Sequence, residues 1–318
     1  MRVTVYRTDR VEEDPRRPLA DLLAAPDGVV WVDMIGPQEA DVRVLREVFG
    51  FHPLAVEDAL KQRQRPKLEA YDGYLFLTVH ALRPGRERAG LSWDEVDIFA
   101  SSRYVVTVHP RPVAALDEAR ARLDHAPATD RAAADYILYA LLDCAVDTYF
   151  PALDRLESVL ERLEDQLFRR PGPRTLDEIV ACKRSLLHLR RMAAPLRDLV
   201  SSLAHHPLVR PQTALYLRDV FDHLLRITEA VDTHRDLIAG SLDVYLSAAS
   251  NRLNEVMKVL TVITAVFASL AVITGIYGMN FERVWPPFPW PYGFPAVLAA
   301  MAAIVAVMVV LFRRQGWL

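Results

Sequence analysis

Gly278-Met279-Asn280 closes a 20-residue run, Val259 to Gly278, that carries no charged side chain. An amide oxygen at the tip of an apolar segment is a neutral acceptor, which suits the mouth of a membrane pore. Upstream, Asn254, Met257, Thr261, Thr264, Ala268, Ala271 and Gly275 recur at spacings of three and four, so they share one helical face. That face is mostly small or polar, while Val259, Val262, Phe267, Leu270, Ile273 and Ile276 lie elsewhere. A narrow pore lined by several symmetry-related helices needs such a face, because bulky groups close it and charges trap the ion. The same pattern also serves close helix packing of the small-xxx-small kind, and periodicity does not choose between the two.

These residues require an element that crosses a bilayer. Val259 to Gly278 is long enough to span ~30 Å of hydrocarbon as a helix at ~1.5 Å per residue. A second uncharged run covers Phe294 to Phe312. The segment between them holds four prolines, which forbid a helix, and Trp285, Trp290 and Tyr292, which suit a membrane-water interface. A transmembrane hairpin with a short outer loop is expected; the alternative is a buried helical hairpin of a soluble protein. Lys258 precedes the first span and Arg313-Arg314 follow the second, whereas the loop sets Glu282 beside Arg283. Positive charge therefore favours the side bearing both termini, and a multi-pass protein of the cell (inner) membrane with cytoplasmic termini follows. The first ten residues lack the apolar core of a signal peptide, in agreement.

Composition alone hides this. A chain of 318 residues, 25% charged and with net charge −3, fits one or two ordinary globular domains. Short β-rich runs, Val3–Tyr6, Val29–Asp33, Tyr74–His80, Val96–Phe99 and Tyr104–Val108, alternate with helical ones such as Glu39 to Phe49, so residues 1–129 should form a cytoplasmic α/β domain. Helical spacing dominates from about Asp130. Residues 130–212 hold Leu153 to Phe168 and Leu176 to Met192, an expected antiparallel pair around Arg-Arg-Pro-Gly-Pro-Arg. No proline interrupts Pro211 to Pro286, so one helix should run from about Thr213 to Gly278. Its parts are a stalk, 213–258, and a pore-lining span, 259–279. An outer loop, 280–293, a second span, 294–312, and a basic tail, 313–318, complete the chain. A helix of that length is too long to stand alone, and association with copies of itself is the simplest way to bury its apolar stripe. Two cysteines without paired spacing give neither a disulfide framework nor a zinc knuckle.

Tyr277-Gly-Met-Asn280 between two C-terminal spans resembles the CorA family of divalent-cation channels. The likeness extends to Phe51-His-Pro-Leu-Ala-Val-Glu-Asp-Ala-Leu60, Gln64-Arg-Pro-Lys-Leu-Glu69, Arg218-Asp-Val-Phe-Asp-His223, Leu242-Asp-Val-Tyr-Leu246 and Asn254-Glu-Val-Met-Lys-Val-Leu-Thr261. The resemblance implies an αβα-sandwich cytoplasmic domain, long helices, a two-helix transmembrane hairpin and a funnel-shaped homopentamer whose pore is made by the first spans.

The resemblance also assigns roles. Gly278, Met279 and Asn280 match the selectivity filter, where neutral oxygens suit an ion reluctant to lose its water. Met257 and Leu260 match an apolar constriction, and Asn254 a polar ring at its cytoplasmic end. Asp58 and Asp219 match carboxylates that meet across a subunit interface to bind Mg²⁺; Glu57 and Asp143 match a second such site. Mg²⁺ is then both transported and regulatory, with intracellular Mg²⁺ holding the assembly closed. Where many members carry Met-Pro-Leu-Thr, this chain has Ala268-Ser-Leu-Ala271, so a collar and a hydroxyl ring are missing there or moved to Thr264 or Thr274. The implied function is potential-driven Mg²⁺ influx, with Co²⁺ or Ni²⁺ as further cargo. The alternatives are a proton-coupled zinc transporter of the related ZntB branch and a membrane-anchored interaction protein. Nine histidines share no zinc-ligand spacing. No nucleophile elbow, HExxH motif or phosphate loop occurs, so neither an enzyme, an organic cofactor nor a nucleic-acid partner is expected.

Overall fold

The computed structural model describes residues 1–62, 64–83, 91–169, 172–279 and 291–317. Its residues group into two compact units, Met1–Leu242 and Asp243–Leu318.

The first unit is built on strands β1 (Arg2–Tyr6), β2 (Val11–Glu13), β3 (Val29–Ile35), β4 (Lys67–Tyr71), β5 (Tyr74–Arg83), β6 (Ser92–Ala100) and β7 (Tyr104–His109). They form one sheet in the order β2-β1-β3-β7-β6-β5-β4, in which only β3 and β7 run parallel. The central strand β3, Val-Val-Trp-Val-Asp-Met-Ile, is buried at every position but the last, as expected of a strand covered on both faces. The five strands expected from the sequence are present. β2 and β4 are additional. Both lie at the edges, where short or charge-bearing strands discourage pairing with other chains, and that polarity hides them in the sequence.

Helices cover both faces, giving the αβα sandwich. On one side α1 (Leu19–Ala24), α2 (Glu39–Arg43) and α3 (Pro53–Lys61) pack over Val30, Val32, Met34, Val106 and Val108. Phe51 stacks on Phe99 with ring centroids 4.1 Å apart. The helix expected over Glu39 to Phe49 is α2 followed by a π-helical turn, Val44–Val48, closed by the Phe49 N–H on the Val44 carbonyl. On the other side lie α4 (Ala114–His125), α5 (Ala128–Arg131) and α6 (Ala134–Asp147). A buried network ties α4 to the sheet there. Arg120 donates to Thr4 and Asp33 and lies over the Trp31 ring, while Thr107 and His109 hold the other Asp33 oxygen at 2.6 and 2.8 Å.

α7 (Phe150–Arg169) and α8 (Pro173–Ala204) pack on each other through Leu156, Leu160, Leu163, Ile179, Cys182 and Leu186. The helix expected to end at Met192 continues twelve residues to Ala204, through Pro195. Burial of Ala193, Leu196, Val200 and Leu203 offsets the hydrogen bond that the proline removes. α9 (Pro211–Tyr277) is one uninterrupted helix of 67 residues, close to the expected span. Its buried positions, from Thr213 through Leu217, Leu224 and Val231 to Ser241, all belong to the first unit. The second unit contains the rest of α9 and α10 (Gly293–Arg314).

Candidate ion pathway and cation cluster

In the second unit α9 and α10 are each long and apolar enough to cross a membrane. Their mutual contact is selective. On α9 the half-buried residues are Val262, Ala265, Val266, Ser269, Leu270, Ile273 and Tyr277, and on α10 they are Gly293, Val297, Met301, Val305, Met308, Val309 and Phe312. The two stripes meet where Ser269 Oγ lies 3.6 Å from Met308 Sδ. By contrast Asn254, Met257, Leu260, Thr261, Thr264, Ala268, Ala271 and Gly275 are exposed. At 3.6 residues per turn their face is centred roughly 160° around the helix from the α10-facing stripe. The small-residue face is therefore not the packing face of the hairpin within one chain.

Two hydroxyls, Thr261 on this face and Thr274 beside it, are held by their own helix. Thr261 donates to the Met257 carbonyl at 2.8 Å and Thr274 to the Leu270 and Ala271 carbonyls at 3.1 Å. Each oxygen keeps acceptor capacity for a passing water or ion. At the end of α9 the Gly278 N–H bonds the Thr274 carbonyl at 2.9 Å, and a Cβ on Gly278 would stand only 3.1 Å from that oxygen. The turn into Met279 therefore favours glycine. Asn280, Glu282, Arg283, Trp285 and Trp290 lie outside the described residues. After α10, Gly316 at φ +68° permits a Schellman end: its N–H bonds Arg313 O, Trp317 N–H bonds Phe312 O, and the Trp317 and Phe312 rings stack. Arg313 and Arg314 are exposed in the last turn.

The expected regulatory carboxylates all lie in the first unit, each beside a basic side chain. Asp58 accepts from Lys67 Nζ at 2.6 Å and Gln64 Nε2 at 3.0 Å, and Glu57 pairs with Lys61 one turn on. Burial works against the Lys67 charge, yet the bonds from Asp58 and Glu69 outweigh it and raise its pKa. Asp219 lies 3.7 Å from His223 Nε2. Asp143 is bonded by Arg122, which also reaches Asp147 at 2.5 Å and Glu118 at 3.2 Å. Burial, then the charge of Asp147, pushes the Asp143 carboxyl up, against the pull of Arg122.

The chain thus brings Asp143 together with two residues not anticipated: ligand atoms of Asp143, Asp147 and His223 lie within 4.8 Å of one another. Asp58 and Glu57 do not join this group among the described residues. Carboxylate oxygens fit a hard cation such as Mg²⁺; the imidazole is a softer addition.

Comparison with known proteins gives this geometry a context. A family model described as "CorA-like Mg2+ transporter protein" matches residues 26–314. The chain belongs to the CorA family. It is 39% identical over 292 residues to the cobalt/magnesium transport protein CorA of Thermotoga maritima, covering 91% of this chain and 83% of that one. The complete structure of the CorA magnesium transporter from Methanocaldococcus jannaschii has the same fold, with TM-score 0.83, 22% identity and coverage of 100% and 99% of the two chains. The cytoplasmic domain of ZntB from Vibrio parahaemolyticus matches at TM-score 0.62 and 15% identity, covering 79% of this chain and 98% of that one, a likeness of fold alone. A CorA-family chain is a membrane transporter of divalent cations and not an enzyme.

The CorA resemblance led to Asp143 and Asp219 but gave no role to three of their neighbours, Asp147, Arg122 and His223, the last of which ends its own stretch Arg218–His223. Two carried a local signal, since Asp143/Asp147 and Asp219/His223 are i,i+4 pairs on α6 and α9. Arg122 carried none. It sits 21 residues before Asp143 and meets it only because α4 packs on α6.

Proposed function

We propose that this chain is the subunit of a homopentameric Mg²⁺ channel, with potential-driven influx into the cytoplasm and Co²⁺ or Ni²⁺ as further cargo. The observation that carries this reading is the exposed face of α9. Asn254, Met257, Leu260, Thr261, Thr264, Ala268, Ala271 and Gly275 stay uncovered while α10 occupies another stripe, so copies of α9 can converge on that face around an axis.

In this arrangement Asn280, with Gly278 and Met279, forms the outward mouth. A ring of amide oxygens bonds the waters of a hydrated ion without holding the ion itself. Met257 and Leu260 narrow the inner end, where an apolar ring gates by excluding water. Two charges entering a negative-inside cell gain ~4.6 kcal/mol per 100 mV, so no nucleotide is needed. Residues 1–129 and 130–212 supply the sensing domain, 213–258 the stalk, 259–279 and 294–312 the spans, 280–293 the outer loop, and 313–318 a cytoplasmic basic tail. Asp58 with Asp219, and Glu57 with Asp143, take intracellular Mg²⁺ between copies. When Mg²⁺ falls, uncompensated carboxylates repel and the closed assembly loosens.

The likeness to the ZntB cytoplasmic domain motivates one competing reading, proton-coupled zinc transport. Uptake of Mg²⁺, Co²⁺ and Zn²⁺ into proteoliposomes, with and without a proton gradient, separates the two. The channel reading expects Mg²⁺ uptake that follows the imposed potential and is lost in Asn280→Ala. Uptake of zinc alone, and only with protons, would establish the other.

A further inference from the structure

The face of the sheet opposite α3 leaves a cavity of about 710 Å³ bounded by the hairpin ends of β5 and β6, the first turn of α4 and the junction of α6 with α7. This is within the range of roughly 300–1,000 Å³ typical of small-molecule sites. None of the transport residues lines it except at one edge, where Asp147 does.

Its wall is mostly apolar, with Leu82, Pro112, Val113, Ala115 and Pro151 contributing carbon surface. Besides Thr148 and Arg155, the polar groups gather at two points. At the first, the buried carboxylate of Asp94 accepts from Arg83 Nη2 at 2.6 Å and Arg83 Nε at 3.2 Å, and from Arg111 Nε at 2.7 Å. One carboxylate balances one of two guanidinium charges, so a single positive charge is left over. Both Nη2 groups turn to the Trp93 carbonyl, at 3.2 and 3.5 Å. The Nη1 groups of both arginines have no acceptor among the described residues. α4 begins beside them at Ala114, after Val113, without a side-chain cap, so first-turn amides add partial positive charge there.

At the second point the acids on the wall, Glu118 and Asp147, are both engaged by Arg122, at 3.2 and 2.5 Å. Arg122 bonds Asp143 as well, so three carboxylates share one guanidinium and the second point stays net negative, which leaves the first as the place for an anion. Spare guanidinium donors are suited to a carboxylate, which they bind with charge-assisted hydrogen bonds. The apolar wall is suited to a short hydrocarbon body.

We propose that this cavity binds a small organic monocarboxylate, its head on the Nη1 donors of Arg83 and Arg111 and its apolar body along Leu82, Val113 and Pro151. The cavity's lining residues all belong to the first unit, whereas the proposed pore face lies on the second. The test uses the full-length protein in lipid nanodiscs, titrated calorimetrically with 4-phenylbutyrate, with 4-phenylbutyramide as the uncharged isostere. Saturable binding of the carboxylate is expected, with the amide at least tenfold weaker. Arg111→Gln weakens the carboxylate tenfold or more and Arg111→Lys restores part of the loss. Ala114→Trp, on an exposed rim position, fills the space and abolishes binding with the thermal midpoint unchanged. Equal affinity for acid and amide, affinity unchanged in both Arg111→Gln and Ala114→Trp, or no binding at millimolar concentration would overturn the assignment.

Discussion

Replacing Arg122 by Gln should make the stability of the first unit dependent on divalent cation. Arg122 bonds Asp143, whose side chain is 8% exposed, and also Asp147 and Glu118, which are 34% and 56% exposed. The two more exposed pairs are solvent-screened and contribute ~1 kcal/mol or less each. The Asp143 pair is different. Removing the partner of a buried charge costs about 3–5 kcal/mol, and the half-exposed guanidinium puts this case at the low end, ~3 kcal/mol. A cation bound by Asp143, Asp147 and His223 replaces the lost charge. At 100 times its Kd it restores ~2.7 kcal/mol, nearly the whole deficit. The assay is thermal unfolding of the full-length protein in detergent, wild type against Arg122→Gln, in chelator and across a Mg²⁺ series. A midpoint depressed in chelator and recovered by Mg²⁺ is expected, with a smaller Mg²⁺ response in wild type. An equal depression at all Mg²⁺ concentrations would refute the idea that Arg122 stands in for a cation.

The Asp33–His109 pair sets a pH window for the sheet. Burial opposes the Asp33 charge, but bonds from His109 and Thr107 hold its pKa below the usual value; burial likewise opposes the His109 charge, which the Asp33 bond outweighs, raising that pKa. The carboxylate contributes above ~3.9 and its contribution is lost as pH falls, whereas the imidazolium contributes fully below ~6.5 and is lost as pH rises through its raised value. Chemical unfolding should show maximum stability between these limits, with Asp33→Asn flattening the profile. Burial pushes the Cys144 and Cys182 thiols up to about 12 and about 11, so neither should react with maleimide at pH 8 until the protein is denatured. Ala268→Phe adds a ring to the exposed α9 face and should leave thermal unfolding within ~0.5 kcal/mol of wild type while cutting Mg²⁺ uptake tenfold or more.

The sheet centre, the α7–α8 pair and both apolar helices were legible because period 2 or 3.6 repeats over many residues in each. β2 and β4 were not, since edge strands carry Glu12, Glu13, Lys67 and Glu69 where a buried strand would alternate. The helix expected to end at Met192 runs on through Pro195 because Ala193, Leu196 and Val200 around it are buried. In the site, motif resemblance supplied Asp58, Asp143 and Asp219 and spanned His223 without giving it a role, whereas Asp147 was visible only as a helical i,i+4 neighbour of Asp143. Arg122 depends on the packing of α4 against α6, which no local pattern announces. The choice between pore face and packing face for Ala268, Ala271 and Gly275 was open in the sequence. Within one chain, the α10-facing stripe at Ser269 and Ile273 excludes packing inside the hairpin as the reason for that face.

The most direct test of the ion path is thiol accessibility at adjacent positions of α9. The buried native cysteines leave a quiet background, so Ala271→Cys and Ile273→Cys can be compared in proteoliposomes treated with a positively charged, water-soluble methanethiosulfonate. The account predicts that modification of Ala271→Cys reduces Mg²⁺ uptake at least tenfold and that Ile273→Cys, facing α10, is unaffected. Loss of uptake at Ile273→Cys with Ala271→Cys untouched would contradict it.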